Sequence, residues 1–323
     1  MMFRLAFTLL WLSVAVQARE QILTLSSEND FYTNSGDAYY TNGARAAWLD
    51  ADFEPPWFAD WLVQRMPLMD ATAPMLVQYS IGQNLYTPSD ITIATPQPHD
   101  RPWAAHLYAT MGITEGTRDE VNDLELSVGW VGPGALGEPT QKLVHGWVNA
   151  RTPQGWDNQL KDEPAINIAF QRRWPTWAGV TLADSRVTLA PHVGAALGNV
   201  DTHAAAGLTL RWDSDKDAVV DNPVRVRPSL PGTGYFQSPS HPVLTWFTGL
   251  EMRGVARNLF LDGNTFADGP HVDKKNLVAD VQAGFLLTYK RAQFGYTAVY
   301  RTPEFHGQKR GQVFGAITVG VKF

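Results

Sequence analysis

The end of the chain constrains its fold more than any other part. From Val313 to Phe323 the residues alternate: Val313, Ile317, Val319, Val321 and Phe323 fall on one face of an extended backbone, and Ala316, Thr318, Gly320 and Lys322 on the other. Successive side chains of a strand point to opposite faces, so this stretch has one apolar surface and one small or polar surface. Its length is that of a strand crossing a bilayer at a tilt, roughly 9–11 residues. A half-buried strand of a soluble sandwich alternates in the same way, so other segments must decide.

Asn122 to Trp130 discriminates between the two. Leu124, Leu126, Val128 and Trp130 share one face, and Asp123, Glu125, Ser127 and Gly129 share the other. Two carboxylates turned into a soluble core are costly unless paired, whereas the polar lumen of a membrane barrel accommodates them. Composition agrees. Aromatics reach 11% against only 18% charged residues, and the mean hydropathy is −0.21. Beyond the N-terminus no run approaches the ~18 apolar residues of a membrane helix. The absence of cysteine excludes disulfides, thiolate metal sites and a Cys nucleophile. A formal charge of −6 argues against a nucleic-acid partner.

Arg4, the apolar stretch Leu5–Val16 and the small-residue site Val16-Gln17-Ala18 predict a signal peptide over 1–18, with 19–323 as the exported domain. Phe323, closing its alternating strand, resembles the terminal signature of bacterial outer-membrane barrels. The expected fold is therefore all-β: a closed antiparallel transmembrane barrel of about twelve strands in the bacterial outer membrane. The strands are expected near 20–28, 38–50, 75–84, 103–115, 119–131, 161–174, 180–198, 204–213, 243–257, 277–290, 292–302 and 313–323. Parity places 29–37, 85–102, 132–160, 258–276 and 303–312 outside the cell, and the short links 116–118, 175–179 and 291 on the periplasmic side. Two long connections, 51–74 and 214–242, also fall on the periplasmic side, where short turns are the rule.

Chemistry concentrates in two of the outer loops. Glu28-Asn29-Asp30-Phe31, Asp37 and Tyr39-Tyr40-Thr41-Asn42-Gly43 supply hard oxygen donors of the kind calcium takes, although turns use the same residue types. In 132–160, Glu138-Pro139 suits a first helical turn and 139–149 predicts a short helix inside the loop. Gln141 and His145 then sit at i and i+4 on one face. Histidine is suited to general-base work near neutral pH, and a packing role is the alternative reading. The other His residues show no metal-ligand spacing.

The ordered set of motifs resembles the outer-membrane lipid A 3′-O-deacylase family. Its pieces are Ser27-Glu28-Asn29-Asp30, Tyr40-Thr41-Asn42-Gly43, Tyr86-Thr87-Pro88-Ser89, Asp100-Arg101-Pro102-Trp103-Ala104, Val131-Gly132-Pro133, Gln141-Lys142-Leu143-Val144-His145 and Gly155-Trp156-Asp157-Asn158-Gln159-Leu160. They run in order across about 22–175. The resemblance implies a twelve-stranded barrel whose site lies between the wall and a helix of an outer loop, with a calcium ion. It also implies His145 as the base that activates water, with Gln141 placing water or substrate. Asn29 joins them as a catalytic residue, and Asp30, Thr41 and Gly43 as metal ligands. Two departures stand out. Asp90-Ile91-Thr92-Ile93 follows Ser89 where some relatives carry a basic residue, leaving Arg101, Lys142 or Arg151 as partners for lipid A phosphate. Asn149-Ala150-Arg151 offers no acidic ligand after the helix.

The expected function is calcium-dependent hydrolysis of the 3′-linked acyloxyacyl ester of lipopolysaccharide at the outer leaflet, by water attack and without an acyl-enzyme. The resemblance makes lipid A the partner, and a monomer is expected. Two alternatives stay open: a passive or structural barrel, and an outer-membrane phospholipase. The second resembles a His-x-Ser arrangement, and no His here has Ser two residues later.

Overall fold

The computed structural model describes residues 20–33, 39–51, 56–66, 68–70, 72–223, 225–226 and 233–323. The expected signal peptide and Asp37 lie outside the described residues. Thirteen strand segments follow one another: β1 (Gln21–Asn29), β2 (Tyr39–Asp50), β3 (Met75–Thr87), β4 (Ala104–Gly116), β5 (Val121–Val131), β6 (Glu163–Arg173), β7 (Ala178–Leu182), β8 (Ser185–Gly198), β9 (Asp201–Asp213), β10 (Val243–Asn258), β11 (Leu277–Tyr289), β12 (Ala292–Arg301) and β13 (Gln312–Lys322). β13 pairs with β1, Ile22 opposite Lys322 through Asn29 opposite Gly315, and the sheet closes on itself.

The thirteen segments make twelve staves. β6 and β7 both run antiparallel to β8, Asn167–Arg173 opposite Gly198–His192 and Ala178–Leu182 opposite Leu189–Ser185. They are one stave broken where Pro175, which has no N–H for the ladder, interrupts it. The periplasmic turn expected at 175–179 therefore lies at Ala183-Asp184, where Ala183 takes a left-handed φ of 52°.

Side chains obey the alternation. Leu25, Ile81, Val128, Ile166, Leu197 and Leu250 are exposed on the outer wall, where lipid replaces water. Asp123 and Glu125 face inward as expected, and each meets a guanidinium: Arg173 at 2.9 Å and Arg45 at 2.7 Å. Asp280 is held likewise by Arg301 at 2.8 Å. Unpaired, such charges would be costly to bury.

The two long periplasmic connections are genuine, and each has a reason for its length. The described residues of the connection 214–242 enter the lumen as a plug. Phe236 packs against Ile22 and Leu49, Arg225 reaches Glu28 at 2.5 Å, and the Val226 carbonyl accepts from Tyr108 Oη at 2.9 Å. Burial alone would raise the Asp221 carboxyl of the plug, but Arg173 at 2.5 Å more than offsets this and holds it below the usual carboxylate range. The described residues of the connection 51–74 stay outside. Its helix α1 (Trp57–Val63) buries Ala59 and Val63 against Val77, Met111 and Ile113 on the outer face of β3 and β4.

Candidate active site at the outer rim

At the opposite rim the same two staves carry helix α2 (Gly137–Val148), two residues longer at its start than the sequence predicts. Pro139 occupies its first turn, where a missing N–H costs nothing, and Asn149 ends it in the left-handed conformation at φ 55°. Gly137 lets the helix approach the wall. A Cβ there would fall 2.5 Å from Ala105 Cβ and 2.6 Å from the Trp156 ring. Beneath the helix Leu85, Ile91, Trp103, Ala105, Ala135 and Trp156 form one apolar cluster on the outer side of β3 and β4. Gln83 of β3 donates to the Ala135 carbonyl at 2.6 Å.

The helix buries Gly137, Gln141 and His145, the stripe that faces the wall, and exposes Leu143 and Trp147. Trp156 Nε1 donates to Gln141 Oε1 at 2.8 Å. This assigns the amide: its NH2 is the free end, buried and with no hydrogen-bond acceptor among the described residues. His145 Nδ1 lies 2.5 Å from the Arg151 carbonyl, which can only accept, so Nδ1 carries the proton. Nε2 is then the basic nitrogen of the neutral ring.

The strand side of the site is built by a β-bulge. Tyr40 pairs with Tyr86 and Asn42 with Leu85, so Thr41 is the extra residue on β2. Its hydroxyl shares a 2.7 Å hydrogen bond with Thr87, two residues beyond Leu85 of the cluster under α2. Asn29 stands opposite Asn42 in register, and its side-chain oxygen accepts from Phe31 N at 2.7 Å. Asp30 follows as the first residue of a short 3-10 turn and is wholly buried.

Other expected residues lie elsewhere. A Cβ on Gly43 would fall 2.1 Å from the Tyr40 hydroxyl and 2.8 Å from Val226 of the plug, so Gly43 faces the lumen and only its main chain can donate. Arg101 is buried, paired with Glu304 at 2.8 Å and stacked over Tyr86 at 4.8 Å. Its charge is already matched inside the barrel mouth, so it does not join the helix. Lys142 is exposed and paired with Glu138 at 2.5 Å, and Arg151 is exposed beside His145. Trp156 and Thr87, the immediate partners of Gln141 and Thr41, lie within the quoted motifs. The signal that finds them is the hydrogen bond each makes, which sequence spacing does not encode.

Among the described residues, no three His, Cys, Asp or Glu side chains gather around one point. A cation at this rim would draw on the Asp30 carboxylate together with neutral oxygens, the Thr41 hydroxyl and carbonyls that the bulge removes from the ladder. These are hard oxygen donors, and in that chemical respect the set suits calcium.

A closed twelve-stave barrel with an apolar outer wall and a helix packed on its rim defines a bacterial outer-membrane β-barrel protein. The chain belongs to the family described as outer membrane protein LpxR, whose model matches residues 1–323. LpxR from Salmonella typhimurium has a similar structure: TM-score 0.74 at 19% identity, covering 94% of this chain and all of that one. The β domain of the Bordetella autotransporter BrkA is more distant, at TM-score 0.41 and 9% identity over 94% of this chain and 98% of that one. No curated protein sequence matches.

Proposed function

We propose that this protein is a calcium-dependent lipid A 3′-O-deacylase that hydrolyses the 3′-linked acyloxyacyl ester of lipopolysaccharide in the outer leaflet. The observation that carries this reading is the polar stripe Gln141–His145, buried against the lipid-facing side of the wall rather than in the lumen. A buried amide NH2 with no acceptor is costly to keep unless a ligand supplies the acceptor. An ester carbonyl oxygen, or the attacking water, would do so.

His145 Nε2 takes the proton of that water while Nδ1–H, held by the Arg151 carbonyl, keeps the ring in register. The same nitrogen returns the proton to the departing sugar alkoxide. Gln141 donates to oxygen at the reacting carbon, and no serine or cysteine is acylated. Asp30 and Thr41 would hold calcium and Asn29 would orient that rim, without Gly43, which faces the lumen. When bound, the cation supplies positive charge toward the carbonyl oxygen. Arg151 and Lys142, both exposed at the helix, would be the basic groups that meet a lipid A phosphate. The plugged lumen weighs against a passive pore.

His145→Ala is expected to lower deacylation by about 10²–10⁴-fold, the usual worth of a general base. Mass spectrometry of lipid A, with heat-modifiable gel migration to confirm the folded barrel, reads the result. Undiminished acyl release by the folded variant would overturn the mechanism, and release undiminished by a chelator would overturn the calcium requirement.

A further inference from the structure

Helix α1, on the periplasmic side, serves no part of the rim site. It is seven residues long and exposes Trp57 (78%), Phe58 (40%) and Trp61 (49%), with Leu68 exposed just beyond it. So much bare aromatic surface on one short element marks an interaction surface.

Its location identifies what covers it. Ala59 and Val63 seat the helix on Val77, two residues from the start of β3, and on Ile113, three residues from the end of β4. Val77 shares strand parity with Ile81, which is exposed on the lipid-facing wall. Beyond the helix, the Leu68 carbonyl accepts from Arg172 of β6 at 2.5 Å, which keeps the connection on the outside of the barrel. The aromatic face thus continues the apolar belt of the wall at its periplasmic edge. Trp57, Trp61 and Arg65 follow at i, i+4 and i+8, with the Arg65 guanidinium 4.1 Å from the centre of the Trp61 ring. A Trp body with a cation at its tip suits the boundary between acyl chains and phosphate headgroups.

We propose that α1 is an interfacial anchor embedded in the phospholipid monolayer on the periplasmic side. Trp57, Phe58 and Trp61 lie among the upper acyl segments, and Arg65 lies at the phosphates.

The cysteine-free chain permits single nitroxide labels at Trp61→Cys and Trp57→Cys, with Ile81→Cys as the lipid reference and Lys216→Cys as the aqueous one. Each variant is reconstituted into vesicles of phosphatidylethanolamine and phosphatidylglycerol. The ratio of collision rates with oxygen and with a water-soluble nickel chelate is then measured. Labels at 57 and 61 are expected to give ratios well above that at 216 and approaching that at 81. Ratios equal to that at 216 would overturn the proposal. So would spin–spin broadening at 57 and 61, which would mean that a second copy covers the face. Trp57 is the more exposed of the two and its replacement disturbs packing least, so a folding defect at Trp61→Cys leaves the test intact.

Discussion

Glu28 and Asn29 are neighbours on β1, yet they belong to different worlds. Glu28 turns into the lumen and is held by Arg225 and by the Val226 N–H at 3.1 Å. Asn29 turns out to the rim, across from the bulge that carries Thr41. The lumen pairs Glu28, Asp123, Glu125 and Asp280 with arginines, whereas the rim leaves the Gln141 amide donor unspent. Arg101 Nε, inside the barrel mouth, is unmatched as well; what sets the Gln141 donor apart is its place on the lipid-facing side of the wall, where a ligand could supply the acceptor. One strand therefore carries both scaffold and proposed site, and the separation can be tested by substitution on either face.

The largest stability effect is expected from Arg225→Ala. It strands Glu28 in the lumen, and removing one partner of a buried pair costs about 3–5 kcal/mol. Denaturant unfolding of the detergent-solubilised barrel measures this. Acyl release lost without loss of stability would join the two faces that the structure separates. Gln141→Glu sharpens the other side. It keeps an oxygen acceptor for Trp156 and, with the carboxyl ionised, removes the donor, so kcat should fall by about 10²–10³, the worth of one oxyanion donor, in a barrel that still folds by heat-modifiable migration, with some loss of stability from the buried carboxylate. An unchanged kcat would remove Gln141 from the chemistry. The smallest effect belongs to Lys142→Ala. Its exposed i,i+4 pair with Glu138 contributes only about 0.3–0.5 kcal/mol, so a rise in KM for lipid A without a change in stability would point to phosphate contact.

Much of the barrel is legible because a strand between lipid and a polar lumen must alternate, as Asn122–Trp130 does throughout and Val313–Phe323 does from Ala316 onward; Phe314 breaks the pattern by packing into the apolar part of the lumen with Tyr40 and Tyr86. The helix in 132–160 was legible from Pro139 and from the spacing of Gln141 and His145. The stave broken at Pro175 was not, because alternation resumes on either side of it and reads as a turn. The plug was hidden for a different reason. Residues 214–242 carry the polar and Pro-rich composition of any exposed loop, and only the carboxylates and hydroxyls waiting on the inner wall draw them in. Arg101 is ambiguous in sequence because a guanidinium near the rim serves a phosphate or an internal carboxylate equally well, and only the fold shows it paired with Glu304.

The seam between β1 and β13 joins strands from opposite ends of the chain. Half of the ladder that holds Asn29 is supplied by Gly315 and its neighbours, close to 300 residues later in the chain. Contacts so distant in sequence form late, since their loop-closure cost comes before their reward. The strand that presents the rim residues stays an open edge until the final strand zips onto it, so a partly inserted chain carries an unfinished rim. Completion of the wall and of the proposed site would then be one event, so the rim is whole only in the closed barrel.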